Sequence, residues 1–350
     1  MSAVDVVIPC YNYARFLRRS VESVLNQEGV AVRVLIIDDT SSDDTPEVAR
    51  LLAQDSRVEV RRHAVNQGHI KTYNEGLMGW ASAKYSLLLS ADDALANGAL
   101  LRATRLMDEN PDVGMHYGMA QLIHEDAEPV HIDAQVKDEH QIIAGPAFLK
   151  HVCSVGNVVP TPTAVVRTDL QQKLGGYRAD LPHTGDMEMW MRFAANGSVG
   201  VSRSVQAYYR LHSANMSSKY YAAIISDRRE QLQAASEVHA KWGRSIAGFD
   251  TWLSDMARRL GHEALWIASE SFDRGDMNSC ELGLECAREL YPSISSSGAA
   301  WKFRLKRLLG ASTWKTVKPL INRLRGLEGD AAIAPIRPTG DLTGWWPTAS

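Results

Sequence analysis

Val32-Arg33-Val34-Leu35-Ile36-Ile37-Asp38-Asp39-Thr40-Ser41-Ser42-Asp43-Asp44-Thr45-Pro46-Glu47 runs from a β-branched stretch through an acidic loop into a helix start. Val32–Ile37 has the length and branching of a strand. Thr45 offers an N-cap hydroxyl, Pro46 suits a first helical turn, and Glu47 falls near the positive end of the helix dipole. Outward from this stretch, Val4–Ile8 is a second β-branched run, and Phe16, Leu17, Ser20, Val21, Val24 and Leu25 between the two follow a helical period. Val58–Arg62 reads as a third strand, Ile70, Tyr73, Asn74, Leu77 and Ala81 as a helix, and Tyr85–Leu89 as a further strand. Strand and helix alternate at the spacing of βαβ units, which predicts an α/β fold with a mostly parallel central sheet flanked by helices. Right-handed crossovers then bring the loops after Ile8, Ile37 and Leu89 to one edge of the sheet.

Composition narrows the class. The 350 residues are 45% hydrophobic and 23% charged, enough apolar content to fill a core and too little charge bias for a disordered chain. Length suggests one catalytic-sized domain with a smaller appendage. Apolar stretches fall short of the ~20 residues of a membrane-spanning helix. The opening Met1-Ser2-Ala3-Val4-Asp5 lacks a basic region before an apolar run, so no secretory signal is expected. Cys10, Cys153, Cys280 and Cys286 are scattered without a CxxC pair and read as reduced thiols of a cytoplasmic protein.

Chemistry gathers in the loops. Pro9-Cys10-Tyr11-Asn12 follows the first strand, Asp38 to Thr45 the second, and Ser90-Ala91-Asp92-Asp93 the Tyr85–Leu89 strand. Adjacent carboxylates repel, so each pair needs cations, amide donors or solvent. Asp43 and Asp44 precede a helix start and read as a solvated turn or cap. Asp92 and Asp93 abut the apolar Leu87-Leu88-Leu89 and read either as a turn or as ligands of a hard divalent cation, Mg or Mn. No GxGxxG follows the first strand and no GxxxxGK[ST] occurs, which excludes the dinucleotide fingerprint and the P-loop. A cation on Asp92 and Asp93 would supply the counter-charge that a diphosphate needs without a glycine cradle.

Val6-Val7-Ile8-Pro9-Cys10-Tyr11-Asn12, Ile36 to Thr45, Asn66-Gln67-Gly68 with Asn74-Glu75-Gly76, Ser90-Ala91-Asp92-Asp93, Gly175-Gly176-Tyr177, Gly185 to Arg192 and Tyr209-Arg210-Leu211-His212-Ser213-Ala214-Asn215-Met216-Ser217 follow one another in order. Together, over residues 3–217, they resemble the ordered motifs of family 2 glycosyltransferases. The resemblance implies the GT-A (nucleotide-diphospho-sugar transferase) fold and inverting transfer of one sugar. It implies that Pro9 and Tyr11 line the nucleotide base, that Asn12 belongs to the same nucleotide-sugar site, and that Asp39 accepts a hydrogen bond from the base imide. Such an acceptor favours uracil or thymine over cytosine. Asn66, Gly68 and Lys71 would lie under the base or diphosphate, Lys71 standing in for a charge the family often carries where this chain has Tyr73. Asp92 would meet the ribose or the metal. Asp93 would be the principal metal ligand, and His212 would be placed near metal and diphosphate. Asp186 would be the catalytic base, alone because Gly185 replaces the first member of the family's acidic pair. Ser90 likewise replaces the first acidic position of its motif. Glu188 would serve on the acceptor side or as a hydrogen-bonding support. Trp190 belongs to the face, with Met187, Met191 and Ala194, that pins the helix, and Arg210 would support the cleft carboxylates.

The expected partners are a UDP- or dTDP-linked sugar and a saccharide or lipid-linked acceptor, in cell-surface polysaccharide or glycolipid synthesis; no nucleic acid is expected. Two rivals stay open. Ser90 and Gly185 leave room for an inactive donor-binding relative. A sugar-1-phosphate nucleotidyltransferase would need a glycine-rich first loop where Pro9-Cys10-Tyr11-Asn12 stands.

After residue 217 the motifs stop. Residues 218–292 are expected to form a helical extension, with Leu260, Ala264, Ile267 and Ala268 on one helix, Cys280, Leu284 and Ala287 on the next, and Gly275-Asp276 between; packing on the catalytic domain or self-association is its natural job. Residues 293–298 read as a linker within a basic amphipathic segment, 293–327, and 328–350 as an extended or disordered tail carrying Trp345-Trp346. From Leu290 to Leu327 there are eight basic residues and no acidic one; the other 30 basic residues face 41 acidic ones. Aromatic and aliphatic residues interleave with Lys and Arg over about 300–325, divided by Pro319, which suits an anionic membrane surface and peripheral attachment at the inner face of the cell membrane.

Overall fold

The computed structural model describes residues 1–125, 127, 139–212, 224–310, 313, 314, 316, 317, 341–344 and 346. Its first half is built on β1 (Ala3–Cys10), β2 (Ala31–Asp38), β3 (Val58–Arg62) and β4 (Tyr85–Leu88), four parallel strands in the spatial order β3-β2-β1-β4. Val6, Ile8, Val34 and Ile36 face α1 (Ala14–Leu25) and its neighbour α2 (Thr45–Leu52); Val7, Leu35 and Ile37 face the opposite layer. Burial on both faces is why these strands read as continuous apolar runs. Register pairs Cys10 with Asp38, so the loops after β1 and β2 leave the sheet side by side. α2 begins at Thr45 with Asp44 as its cap position, one residue before the expected N-cap, because the Asp43 carboxylate accepts the Thr45 N–H (3.0 Å).

Beyond β4 the sheet is mixed. β8 (Val165–Arg167) runs antiparallel to β4 and to β6 (Val113–His124); β9 (Ser198–Leu211) lies parallel to β6, and β5 (Ala94–Leu95) antiparallel to β9. The parallel portion predicted from β-branched runs is thus the N-terminal half of the sheet. β7 (His140–Ile143) pairs with β9, and β10 (Leu342–Thr343) pairs with β6, carrying Trp346 to stack on Phe148 at 5.7 Å. Trp345 and most of the tail lie outside the described residues.

α3 (His69–Asn74) continues into a π-helical turn (Glu75–Trp80), and α4 (Ala99–Glu109), α5 (Gly145–Val155), α6 (Thr168–Leu174) and α7 (Gly185–Ala195) complete the part up to β9. On α7, Met187, Trp190, Met191 and Ala194 are buried as their spacing predicts. The other face is buried too, because α8 (Ile224–Val238) packs on it. α9 (Phe249–Arg274) and α10 (Met277–Leu290) form a hairpin. Gly275 turns left-handed (φ 81°), its N–H reaching Phe272 O and that of Asp276 reaching Ser271 O, a Schellman closure. One hydrophobic core runs from Val7 and Trp190 to Phe249, Leu260 and Phe272, across residue 217.

The expected linker at 293–298 is instead a 3-10 turn (Pro292–Ser296) that buries Ile294, and Ser297 caps α11 (Gly298–Leu309) by accepting the Ala300 N–H. A run of serines reads as flexible, but one apolar residue among them is enough to pin it. On α11, Lys306 reaches Asp273 (2.6 Å) and Arg307 reaches Glu281 (2.5 Å), so two of the eight basic residues are spent on the body of the protein. Of the remaining basic segment, 311, 312, 315 and 318–327 lie outside the described residues.

Asn74 explains why the Asn74-Glu75-Gly76 and Gly175-Gly176-Tyr177 motifs travel together. Its side chain accepts the Tyr177 N–H (2.6 Å) and donates to Tyr177 O (2.8 Å), and a Cβ on Gly176 would stand 2.3 Å from Asn74 Oδ1. Asn74→Ala removes both bonds and strands the Tyr177 backbone groups, so urea denaturation should show a loss of about 2 kcal/mol.

Candidate active site

Four carboxylates at the edge of the sheet sit in three different environments. Leu89 donates to Val7 O at the end of β4, and Asp93 N–H closes a turn on Ser90 O (3.1 Å), which turns Asp92 and Asp93 inward. Asp93 is 3% exposed, and its Oδ1 accepts the Arg210 backbone N–H (2.9 Å). Burial, then the charge of Asp92, drive the Asp93 carboxyl well above the ordinary carboxylate range. His212 Nε2 lies 3.0 Å from Asp92 Oδ2, its ring held against Tyr13 and Phe16. The Arg210 guanidinium donates to the backbone oxygens of Asp92 (3.1 Å), Glu125 and Ala127.

The loops after β1 and β2 form a shelf beside this pair. Asn12 (φ 59°) and Thr40 (φ 67°) occupy the left-handed region, unusual for a β-branched Thr. Cross-loop bonds hold them: Asn12 N–H to Ser41 Oγ (2.9 Å), Ser42 N–H to Asn12 Oδ1 (2.8 Å), and Thr40 Oγ1 to His63 O (2.9 Å). Asp39 is 5% exposed and accepts the N–H groups of Gln67 (2.8 Å) and Gly68 (2.9 Å), while Asn66 Nδ2 donates to its backbone oxygen (3.2 Å). Burial works against its charge, but His63 and the two amides outweigh it and hold the carboxyl below the usual range. Tyr11 is half exposed on the shelf.

Asp186 opens α7. Its Oδ2 accepts from Asn157 Nδ2 (2.9 Å) and Thr161 Oγ1 (3.1 Å), its Oδ1 from the Met187 N–H (2.7 Å). Burial raises its carboxyl pKa, only partly offset by those donors. Glu188 turns the other way, 1% exposed and 2.6 Å from Arg192, whose guanidinium also donates to the backbone oxygens of Leu174, Gly175 and Gly176. Trp190 is buried in the core.

A cavity of about 170 Å³ brings Asp92, Asp93 and Ser90 together with Asp186, Thr161 and Tyr177. Among the expected site residues, Asp92, Asp93 and Asp186 line it; Pro9, Tyr11, Asn12, Asp39, Asn66, Gly68 and Lys71 do not, the shelf residues lying on adjoining loops. Tyr73, not the exposed Lys71, faces the cavity. Glu188, Trp190, Arg210 and His212 stand behind the walls. Sequence reasoning missed Tyr13, His69, Thr161 and His183 in the lining, Asn157 beside Asp186, and His63 beside Asp39 on the shelf; none belongs to a motif, and only chain folding brings 157–163 to α7.

The residues fit a divalent cation of a particular kind. Among the described residues no three His, Cys, Asp and Glu side chains form a closed metal cage. A buried acid pair with one member driven toward neutrality is relieved by a hard cation, which would draw its remaining ligands from phosphate oxygens and water.

Residues 5–128 match the family described as Glycosyl transferase family 2. An uncharacterized protein of Mycobacterium tuberculosis is 28% identical over 210 residues, 56% of this chain and 63% of that protein. An uncharacterized glycosyltransferase of Nostoc sp. is 26% identical over 280 residues, covering 75% of this chain and 77% of the relative. Among solved structures, S. aureus TarS 1–349 in complex with UDP-GlcNAc aligns with a TM-score of 0.52 at 17% identity, covering 83% of this chain and 92% of that one. A mannosyltransferase from Pyrobaculum calidifontis in complex with GDP-Man and Mn2+ aligns at 0.53 and 17% identity over 93% and 88%. At such identities these two structures establish the shared fold.

Asp186 also makes a stability prediction. Its folded pKa lies above the ordinary 3.8, so the folded state binds the extra proton and stability falls as pH rises from about 3.8 through the raised value. Asp186→Asn removes this cost while keeping an oxygen for Asn157 and Thr161. The Asn amide nitrogen then faces the Met187 N–H, a cost that does not depend on pH, so thermal denaturation should find the variant's stability relative to the parent greatest at pH 7.5 and shrinking toward pH 3.5.

Proposed function

Because the chain is a family 2 glycosyltransferase with a GT-A-like fold, we propose that it transfers one sugar, with inversion, from a UDP- or dTDP-linked donor to a hydroxyl of a saccharide or lipid-linked acceptor. The observation that carries this reading is one cavity lined both by the Asp92–Asp93 pair and by Asp186. The shelf of Pro9, Tyr11, Asn12, Asp39, Asn66 and Gly68 would take the nucleoside. A low-pKa Asp39 stays an acceptor, suited to the imide N–H of uracil or thymine. Lys71, exposed on α3, would meet the diphosphate from outside the cavity. Asp92 would face the ribose, and Asp93, with His212 beside Asp92, would hold Mg or Mn. That ion would neutralise charge on the departing nucleotide diphosphate.

Asp186 then takes the proton of the acceptor hydroxyl as its oxygen attacks the anomeric carbon from the face opposite the leaving group. The bond to the diphosphate oxygen breaks, and the configuration inverts in one displacement. Burial lifts Asp186 toward the range where a carboxylate works as a base. Asn157 and Thr161 fix its orientation through Oδ2. Arg210 would keep Asp93 in place, and Glu188 and Trp190 would steady α7 from behind.

Screening the full chain against nucleotide sugars, with and without Mn, tests the reading. Release of nucleotide diphosphate from a UDP- or dTDP-sugar is expected, and no turnover on any donor would sink it. Asp186→Asn should keep UDP affinity within about threefold and lower kcat by about 10³-fold. Asp93→Asn should abolish metal-dependent donor binding. Near-native kcat in the first variant, or Mn-dependent binding in the second, would show that the base or the metal ligand lies elsewhere.

Attachment to an anionic membrane surface at the inner face of the cell membrane belongs to the same proposal, since it would bring a lipid-linked acceptor to the site. Support comes from the outward face of α11, where Trp301, Leu305, Leu308 and Leu309 are exposed beside Lys302 and Arg304 while Phe303 and Lys306 face inward. No helix of the described residues is long and apolar enough to cross a membrane. Basic residues near such a surface contribute about 1 kcal/mol each. The full chain should float with vesicles containing anionic lipid and not with neutral ones, and Leu305→Asp with Leu308→Asp should reduce flotation about tenfold. Equal flotation of both proteins would assign the contact to another surface.

A further inference from the structure

Below the nucleotide shelf, His63 sits between two carboxylates. Its Nδ1 lies 2.7 Å from Asp39 Oδ1 and its Nε2 lies 2.8 Å from Glu75 Oε2, with the side chain 6% exposed. A neutral imidazole has one N–H and one lone pair, so it can serve only one of two ionised carboxylates; only the imidazolium donates from both nitrogens. The segment is anchored independently of the ring. The His63 N–H donates to Asp38 O (2.9 Å), and His63 O accepts from Thr40 Oγ1, next to Asp39 in the left-handed conformation. Nothing in the family motifs marks position 63.

We propose that His63 is a positioning residue that works as an imidazolium, clamping Asp39 to Glu75 at the start of the π-helical turn and so presenting the free side of the Asp39 carboxylate to the imide N–H of a uracil or thymine nucleotide. This rests on the reading of Asp39 as the base acceptor. Asp39 Oδ1 already receives His63 and the Gln67 N–H, and Oδ2 the Gly68 N–H, which leaves acceptor capacity on Oδ2. Losing the proton from His63 leaves Asp39 or Glu75 facing a lone pair, and the carboxylate is no longer held on both sides.

The surrounding charges favour the protonated ring. Asp39 comes from the loop after β2 and Glu75 from the start of the π-helical turn; Arg61 on β3 reaches Glu75 (3.4 Å), Arg62 reaches Asp38 (3.2 Å), and His69 on α3 lies within electrostatic range of Asp39. Burial opposes the charge, but the bonds to Asp39 and Glu75 prevail and raise His63 above 6.5. A histidine raised in the folded state contributes stability that is complete below pH 6.5 and is lost as pH rises through the raised value. Nucleotide affinity should follow the same course.

Two measurements on the full chain test this. In 15N-histidine NMR without ligand, the signal that disappears in His63→Gln should report both ring nitrogens protonated at pH 7; a neutral ring there overturns the proposal. In calorimetry from pH 6 to 9, UDP affinity of the parent should fall about tenfold as the ring loses its proton. His63→Gln should bind about tenfold more weakly at pH 6 and show no such pH dependence. Glu75→Gln, which keeps the ring and Asp39, should bind like the parent at pH 6 and lose affinity at a lower pH. A His63→Gln protein with the parent's affinity and pH profile, or an unshifted Glu75→Gln profile, overturns this inference alone. Failure of the parent to bind UDP at any pH sinks the nucleotide reading itself, and an Asp39→Asn protein that binds UDP like the parent sinks the base-acceptor role.

Discussion

Arg210 joins the parts of the site that the chain contributes last to those it contributes first. Its backbone N–H holds Asp93, and its guanidinium gathers the backbone oxygens of Asp92, Glu125 and Ala127, with Phe16 of α1 beneath it at 4.8 Å. The ends of β4, β6 and β9 therefore meet at one side chain that is 2% exposed. The guanidinium donates to carbonyls around the acid pair, and its charge favours ionised Asp93, though burial and the charge of Asp92 outweigh it.

The carboxylates are separated by environment. Asp39, fed by two backbone amides and a histidine, is held ionised. Asp93, buried beside Asp92, and Asp186, half-buried and desolvated at the start of α7, are both pushed up. Groups of one chemical type thereby acquire different proton affinities, the kind of separation on which acid–base roles depend. Asn12 and Thr40 hold their left-handed conformations through cross-loop bonds made within the protein.

The helical extension is part of the site's support. Glu230 on α8 accepts from the N–H groups of His183 and Thr184, immediately ahead of Asp186, and lies 2.5 Å from His183 Nδ1. The start of α7 is thus fixed from the extension while Glu188 and Arg192 fix its next turn to the Gly175-Gly176 backbone. Burying both faces of α7 makes the direction of Asp186 a property of the whole core.

Much of this was legible in the chain itself. β-branched runs such as Val4–Ile8 and Val32–Ile37 declare parallel strands because both sheet faces are buried, and Asp92-Asp93 after Leu87-Leu88-Leu89 declares an acid pair at a strand end because adjacent carboxylates are too costly there without a purpose. The ordered motifs resemble those of family 2 glycosyltransferases, whose family model matches residues 5–128, and the GT-A-like fold they imply is the one observed. The tertiary structure alone decided the mixed second half of the sheet, where β8 pairs with β4 across some eighty residues and no local period records the partner. It also decided which neighbours each carboxylate meets. Asn157 and Thr161 reach Asp186, Glu75 reaches His63, and Ile294 anchors a serine run through contacts that depend on distance in space. Local sequence encodes backbone periodicity and turn chemistry, which act within a few residues; burial and electrostatics are set by whatever the fold brings alongside.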